Sequence, residues 1–189
     1  MAKIVYDDHY KKLEYFGAPY KGLTEFFENY TPKGRVLDLG CGQGRDAIPI
    51  ARMGYEVIAV DHSKVGIEGL KHTALREGLK IETRVEDVYK FHIDLRVDMV
   101  LLDSMLHFYK NDCEKESAFV SKILRELKEG GVFINFLIKG KGREETFKKI
   151  IEQSEFDFQV IDEKYVDYPE SGSKYHMLAI RKMASKSIG

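Results

Sequence analysis

The stretch "VLDLGCGQGRD", residues 36–46, decides how the rest of the chain is interpreted. It begins as an apolar run that is typical of a buried strand, and Asp38 lies within that run. Three glycines follow at alternate positions: Gly40, Gly42 and Gly44. Glycine adopts positive φ readily and lets the main chain approach a ligand closely, at an entropic cost to folding. A tight turn that binds nothing needs only one or two glycines, so three of them indicate a ligand-binding loop.

Strand-like and helix-like segments alternate along the chain around this loop. The predicted strands are 35–39, 55–61, 80–87, 97–104, 132–138, 156–168 and 175–182, and the predicted helices are 45–54, 64–77, 111–128 and about 143–153. This alternation predicts an α/β fold: a doubly wound, mostly parallel seven-stranded sheet with helices on both faces and a C-terminal antiparallel hairpin. In such sheets, ligands bind beyond the carboxyl ends of the strands.

Composition narrows the classes of function. A chain of 189 residues, with 43% hydrophobic and 32% charged residues, fits one domain with its own core. The net charge of -1 and the scattered basic residues give no basis for nucleic-acid binding. We expect neither a signal peptide nor a membrane span, which needs about 20 apolar residues. Cys41 and Cys113 lack metal-ligand spacing, so we predict no metal site; two cysteines are also too few for a disulfide framework, so we predict a location in the reducing cytoplasm.

A dinucleotide site is the obvious competing interpretation of the glycine loop. It too uses glycines that open a helix, with an acid about twenty residues later. Its fingerprint, however, is G-x-G-x-x-G. Counted from Gly40, Arg45 stands where the third glycine belongs, and Gly44 comes one position early. The pattern here is D-x-G-x-G-x-G, which disfavours an NAD-dependent oxidoreductase but leaves it as a minor alternative.

The glycine stretch resembles the signature loop of class I S-adenosylmethionine (SAM)-dependent methyltransferases, which have a Rossmann-like fold. The likeness covers about residues 33–138, because "VEDVYKF" (85–91), "VDMVLLDSMLHFY" (97–109) and "LRELKEGGVFINF" (124–136) resemble later motifs in the correct order. Glu129 stands where proline is common in the last motif. The stretch that ends in "EVIAVD" is most similar to the small-molecule, tellurite-resistance-like branch. The resemblance implies SAM as the cofactor.

The resemblance also implies a set of cofactor contacts at the strand ends. Asp61 corresponds to the acid that holds both ribose hydroxyls, and Asp87 to the acid that binds the adenine amino group. The alternatives are that Asp61 is a helix cap or a surface acid, that Asp87 only marks the end of a strand, and that His62 is an exposed loop histidine rather than a neighbour of the adenine. Cys41 is interpreted as a small loop or core residue rather than a nucleophile. The predicted cofactor-binding residues are Asp38, Gly40, Cys41, Gly42, Gly44, Asp61, His62, Asp87, Val88 and Asp103.

Methyl transfer from a sulfonium is an in-line displacement, so the protein mainly aligns the acceptor and excludes water. A general base is needed only if the acceptor must lose a proton. His107 is the candidate base, and the alternative is that it stabilises the loop or a helix end. Contacts with the acceptor are expected from residues after the fourth strand: Asp103, Ser104, His107, Phe108 and Tyr109.

The sequence after the fourth predicted strand excludes one class of methyl acceptor. Family members that methylate exocyclic amines of bases carry [DNS]-P-P-[YF] after the fourth strand, whereas this chain has "DSML" (103–106). We therefore expect a small-molecule acceptor, such as a thiol, an amine, a carboxylate or a chalcogen oxyanion, with no nucleic-acid or membrane partner. A SAM-binding regulatory protein without transferase activity is the alternative.

The N-terminal segment, residues 1–30, is rich in tyrosine and phenylalanine. Leu23, Phe26 and Phe27 fit a helix packed on the sheet, whereas the sequence near residues 6–20 is too irregular for one. In similar methyltransferases an N-terminal segment covers the cofactor cleft, so we expect Tyr6 to Tyr20 to form a lid. We predict a single domain, residues 1–189. After the N-terminal segment it consists of a cofactor-binding core, 33–138, and a C-terminal helix and hairpin, 143–182.

Overall fold

The structure is a computed structural model that describes residues 17–168, 170 and 172–184, so most of the predicted lid lies outside the described residues. The strands are β1 Arg35–Leu39, β2 Glu56–Asp61, β3 Ile81–Val85, β4 Met99–Asp103, β5 Val132–Ile138, β6 Phe158–Tyr168 and β7 Ser173–Lys182. The helices in these ranges are α1 Lys21–Asn29, α2 Ala47–Arg52, α3 Lys64–Glu77, α4 Cys113–Glu126 and α5 Lys141–Glu152. Among the described residues no helix is long and apolar enough to cross a membrane.

The strands form one seven-stranded sheet in the order β3-β2-β1-β4-β5-β7-β6. β2 runs parallel to both β1 and β3, and β4 runs parallel to β5. β7 is antiparallel to both β5 and β6. The predicted fold is therefore confirmed. The chain divides into two compact units, one up to Phe91 and one from His92 onward, and the single-domain assignment stays a prediction.

In the first unit, local signals set the ends of α3. Ser63 caps the helix, because its hydroxyl accepts a hydrogen bond from the Gly66 N–H at 3.1 Å. Gly78 ends the helix in the left-handed conformation, where glycine carries no Cβ penalty. Leu75 is exposed although it is apolar. The buried positions Ile67, Leu70 and Ala74 follow the helical spacing, and Leu75 lies about 100° away from Ala74.

The helix after the glycine loop is shorter than predicted. α2 covers Ala47–Arg52 instead of 45–54, because the residues before Ala47 form turns. Pro49 lies in the first turn of α2, where its missing N–H costs little. α1 buries Leu23, Phe26 and Phe27, as expected.

In the second unit, β4 and β5 are apolar and almost entirely buried. α4 ends at Glu126 rather than Lys128, and its last carbonyls are bound by a buried lysine. The Lys182 ammonium group donates to the Leu124, Arg125 and Leu127 carbonyls at 2.8–2.9 Å. A helix leaves its last carbonyls without intrahelical partners, so this lysine satisfies groups that would otherwise be buried and unbonded.

Candidate functional site

The glycine loop after β1 turns back on the end of β2. Gly40, Gly42 and Gly44 all have positive φ, at 87°, 54° and 87°. The Gly40 and Cys41 N–H groups both donate to the Val60 carbonyl, at 2.8 and 3.1 Å. Main-chain bonds to the neighbouring strand therefore hold the loop in a shape that side chains at these three positions would strain.

Gly44 has a second reason to be glycine. A Cβ atom at this position would lie 2.4 Å from the Leu70 Cδ1 atom of α3. The space beside Gly44 is thus filled by the helix that follows β2. The positive φ and this packing together account for the glycine, and the cofactor contact of Gly44 stays a prediction.

Asp61 ends β2 and is buried, with 4% of its surface exposed. Its Oδ2 atom accepts a hydrogen bond from the Gly42 N–H at 2.9 Å, and its Oδ1 atom accepts one from the Ser63 N–H at 2.7 Å. The helix-capping alternative does not account for Asp61, since Ser63 is the N-cap of α3. A carboxylate offers about four acceptor positions. These two bonds orient the group and leave acceptor capacity for hydroxyls of a ligand.

Buried carboxylates surround the glycine loop. Burial raises the pKa of the Cys41 thiol well above its usual value of 9.0, and the charges of Asp38, Asp61 and Asp46 raise it further. The thiol is therefore protonated at neutral pH, which fits a space-filling residue rather than a nucleophile. The Arg45 guanidinium binds the Asp46 carboxylate at 2.8 Å. Asp38 and Asp61 are both buried as well, and such a negative environment favours a cationic ligand.

The turn after β3 lies beside Asp61. The Glu86 N–H donates to the Asp61 carbonyl at 3.0 Å. Asp87 uses one carboxylate oxygen to accept the Tyr89 N–H at 3.0 Å, and its side chain remains about half exposed. Val88 is buried, whereas His62 is largely exposed, with its Nδ1 atom 3.5 Å from Asp61 Oδ1. The first unit therefore brings Asp61, His62 and the Asp87 turn to one edge of the sheet.

The remaining predicted residues lie in the second unit, in the loop after β4. Asp103 is buried at the end of that strand, and the Ser104 hydroxyl donates to its Oδ1 atom at 2.7 Å. The His107 and Tyr109 rings stack, with centroids 5.3 Å apart and planes at 19°. Tyr109 is more than half exposed. His107 is half-buried in this loop, and its role as a base stays a prediction.

Glu116 was not among the site residues predicted from the sequence. This residue lies near the start of α4 and is 4% exposed. Its Oε2 atom accepts hydrogen bonds from the His107 and Phe108 N–H groups, at 2.9 and 2.5 Å. An acid near the start of a helix is common because it stabilises the helix dipole. The local sequence therefore carries no signal that this acid is buried under the loop.

A family model described as "Tellurite resistance protein TehB" matches residues 5–169 of this chain. The chain belongs to this TehB family. The predicted membership of the class I methyltransferases, in their tellurite-resistance-like branch, is therefore confirmed.

Named relatives agree with this membership. The chain is 24% identical over 177 residues to a protein of Haemophilus influenzae (strain 10810), named "Probable S-adenosyl-L-methionine-dependent methyltransferase TehB". That match covers 88% of this chain and 60% of the relative, and a match to a second strain covers 50% of that relative. The chain therefore spans between half and three fifths of the length of these curated relatives.

Solved structures show the same fold at low sequence identity. The crystal structure of TehB from Haemophilus influenzae matches with a TM-score of 0.68 and 20% identity, covering 89% of this chain and 66% of the other. The Burkholderia thailandensis 1,6-didemethyltoxoflavin-N1-methyltransferase, solved with bound 1,6-didemethyltoxoflavin and S-adenosylhomocysteine, matches with a TM-score of 0.70 and 20% identity. That match covers 87% of this chain and 78% of the other.

Proposed function

We propose that this TehB-family chain is a methyltransferase that uses SAM to methylate a small molecule. The observation that carries the proposal is the buried Asp61 carboxylate, held by the Gly42 and Ser63 N–H groups with acceptor capacity remaining on both oxygens. Adjacent ribose hydroxyls suit such a pair of oxygens, because each hydrogen bond to a charged acceptor contributes about 1.5–3 kcal/mol.

The charge around the loop favours SAM over a dinucleotide. SAM has no phosphate; its ammonium and sulfonium groups outweigh its single carboxylate, so it is a net cation. Asp38 and Asp61 are buried beside the glycine loop and raise the pKa of the Cys41 thiol, whereas the third nearby carboxylate, Asp46, is paired with the Arg45 guanidinium. A pyrophosphate would be repelled there, whereas a cationic ligand is attracted. This chemistry of the side chains fits the proposed cofactor.

In this proposal, different residues bind different parts of SAM. Bound SAM supplies an electrophilic methyl group. Asp61 binds the ribose hydroxyls, the glycine-loop carbonyls and Asp38 bind the methionine ammonium group, and Asp87 with the Val88 N–H binds the adenine. His62 lies beside Asp61 at the adenine end. The remaining cofactor contacts that we propose are Gly40, Cys41, Gly42, Gly44 and Asp103.

The loop after β4 serves the acceptor in this proposal. It aligns the acceptor atom with the methyl group and excludes water, which is the main requirement for an in-line displacement. His107 accepts a proton there if the acceptor must lose one. Tyr109, stacked on His107, supplies an exposed aromatic surface.

For the acceptor we propose a small molecule, and the family's description makes tellurite the first to test. We also propose that the protein works in the reducing cytoplasm, which suits its two free thiols, Cys41 and Cys113. Nucleic acid is not an expected partner, given the net charge of -1.

Two measurements test the proposal. In calorimetry we expect SAM and S-adenosylhomocysteine to bind and NAD not to bind; binding of NAD alone would contradict the cofactor assignment. With methyl-labelled SAM, we expect label to move to tellurite, to selenite or to a member of a panel of small thiols, amines and carboxylates. SAM binding without transfer to any acceptor would favour a regulatory SAM-binding protein.

A further inference from the structure

The loop Ser104–Tyr109 has a strained main chain. Ser104 has φ of 57° and Phe108 has φ of 50°, and they are the two non-glycine residues with positive φ in the described part of the chain. Side chains larger than hydrogen are disfavoured in this left-handed region. Such strain persists only when surrounding contacts hold it, and it occurs often at ligand-binding loops.

Both ends of this loop are anchored. At its start, the Ser104 N–H donates to the Phe136 carbonyl of β5 at 3.1 Å. At its end, the Tyr109 carbonyl accepts hydrogen bonds from the Asp112 and Cys113 N–H groups, both at 2.8 Å, where α4 begins. These anchors fix where the loop begins and ends, but they do not fix the conformation of Phe108.

Glu116 binds the main chain at this strained residue. Its Oε2 atom receives the N–H groups of two successive residues, His107 and Phe108. Two adjacent N–H groups that converge on one anion resemble a nest, a main-chain arrangement found in turns and where a right-handed residue precedes a left-handed one. The carboxylate is almost fully buried, so these charge-assisted bonds also offset its loss of hydration. Loss of the carboxylate would leave both amides without this acceptor and would remove a contact that holds the loop next to its strained residue.

The rings carried by this loop depend on the same contact. His107 and Tyr109 flank Phe108 in the chain, and their rings stack on each other at 5.3 Å. A change of φ at Phe108 would turn Tyr109 relative to His107. The loop also follows the carboxyl end of a parallel strand, the edge at which such sheets bind ligands.

We infer that Glu116 is a positioning residue, which holds the Ser104–Tyr109 loop in the conformation that receives the methyl acceptor. This inference rests on the proposed methyltransferase function. Glu116 itself touches neither the acceptor nor the cofactor in this assignment. It acts through the main chain of His107 and Phe108.

The first test measures the loop without any ligand. Hydrogen exchange of the His107 and Phe108 amides is followed by NMR in the wild type and in Glu116→Ala, Glu116→Gln and Glu114→Ala. We expect exchange to accelerate by about tenfold or more in Glu116→Ala, since the amides lose their acceptor. Glu116→Gln retains an acceptor oxygen and should stay near the wild type. Glu114→Ala, an exposed acid in the same helical turn, is the matched control and should behave as the wild type.

The second test separates positioning from structural support. Calorimetry gives the Kd for SAM, and steady-state kinetics with tellurite, or with whichever panel member the wild type methylates fastest, gives KM and kcat. In Glu116→Ala we expect kcat/KM for the acceptor to fall by about tenfold or more while the Kd for SAM changes by less than about twofold. Glu116→Gln should recover most of the loss.

The inference is overturned by unchanged amide exchange in Glu116→Ala, or by faster exchange with unchanged acceptor kinetics, since Glu116 would then only support the fold. If Glu116→Ala does not fold, Glu116→Asp is used to test the positioning role instead. It keeps the charge but is one methylene shorter, so its exchange and kcat/KM should both be impaired, and wild-type behaviour would overturn the inference. If the wild type methylates nothing in the panel, the proposed function fails and the acceptor role falls with it. The exchange experiment would still report whether Glu116 holds the loop.

Discussion

Two loops that follow parallel strands solve the same backbone problem in different ways. In the loop after β1, every residue with positive φ is a glycine: Gly40, Gly42 and Gly44. In the loop after β4, Ser104 and Phe108 adopt positive φ with their side chains in place. Glycine avoids the strain but contributes no side chain. A loop that needs its side chains must have the strain offset by contacts from elsewhere in the fold.

A carboxylate that accepts main-chain N–H groups is common to both loops. Asp61 accepts the Gly42 N–H in the first loop, and Glu116 accepts two N–H groups in the second. The loop after β5 has the same kind of contact, because the Glu144 carboxylate accepts the Gly140 N–H at 2.7 Å. The difference is that Asp61 retains acceptor capacity where we propose that the ligand binds, whereas Glu116 lies beneath its loop.

The largest effect on stability is expected at Gly44. Gly44→Ala should lower the free energy of unfolding by about 2–4 kcal/mol, because it combines left-handed strain with overpacking against Leu70. Gly54→Ala is the matched control: Gly54 has φ of 95°, but a Cβ atom there would have no neighbouring atom within 4 Å. That variant should lose only about 1–2 kcal/mol, from the strain alone. Urea unfolding measures both, and equal losses would show that the contact with Leu70 is unimportant.

The next effect is on SAM affinity, which distinguishes Asp61 from Glu116. Asp61→Ala should weaken SAM binding by about 2–3 kcal/mol, since hydrogen bonds to a charged acceptor are lost. Glu82→Gln, an exposed acid on the neighbouring strand β3, is the control and should bind SAM normally. Calorimetry measures both affinities. Unchanged binding by Asp61→Ala would mean that Asp61, like Glu116, serves only the loop.

A smaller effect tests the strain after β4. Ser104→Val should destabilise the protein by about 1–3 kcal/mol, because a β-branched residue fits the left-handed region poorly. Ser104→Asn also replaces the hydroxyl that binds Asp103, but asparagine tolerates positive φ and should cost less. Thermal unfolding compares the two variants. If both lose the same stability, the lost hydroxyl explains the effect and backbone strain does not.

The smallest effect concerns the loop after β5 and depends on pH. Burial by itself would raise the pKa of Glu144, but hydrogen bonds from the Gly140 N–H and the Tyr165 hydroxyl outweigh burial, so the pKa lies below its usual value of 4.5. The folded state therefore favours the charged form. Its stabilisation is complete above the unfolded-state pKa and is lost as pH falls through the lowered folded-state pKa.

Glu144→Gln should accordingly show less loss of stability than the wild type as pH falls below 4.5, by less than about 1 kcal/mol. Glu145→Gln is the neighbouring control, since the side chain of Glu145 is 66% exposed. Urea unfolding at a series of acidic pH values measures the slopes. If Glu144→Gln and the wild type lose stability equally as pH falls, the lowered pKa of Glu144 does not contribute to stability.

Local patterns account for the parts of the fold that were predicted closely. α3 and β5 begin and end at the predicted residues, because Ser63 and Gly78 punctuate the helix and Gly131 precedes the strand. The ends of α2 and α5 were misplaced by one or two residues, since neither helix has a side-chain cap bond to mark its start. The same local signals could not show that Leu75 is exposed, which depends on which helical face meets the sheet.

The sequence by itself determined the order of the strands along the chain, the left-handed positions that require glycine, and the motif spacing that assigns the family. These properties are local, because φ preference, apolar period and spacing are set by residues close together in the chain. Only the tertiary structure decided that Leu70 fills the space beside Gly44 and that Glu116 binds the His107 and Phe108 N–H groups. Which buried acid meets which backbone group depends on how separate elements pack, and no short stretch of sequence records that.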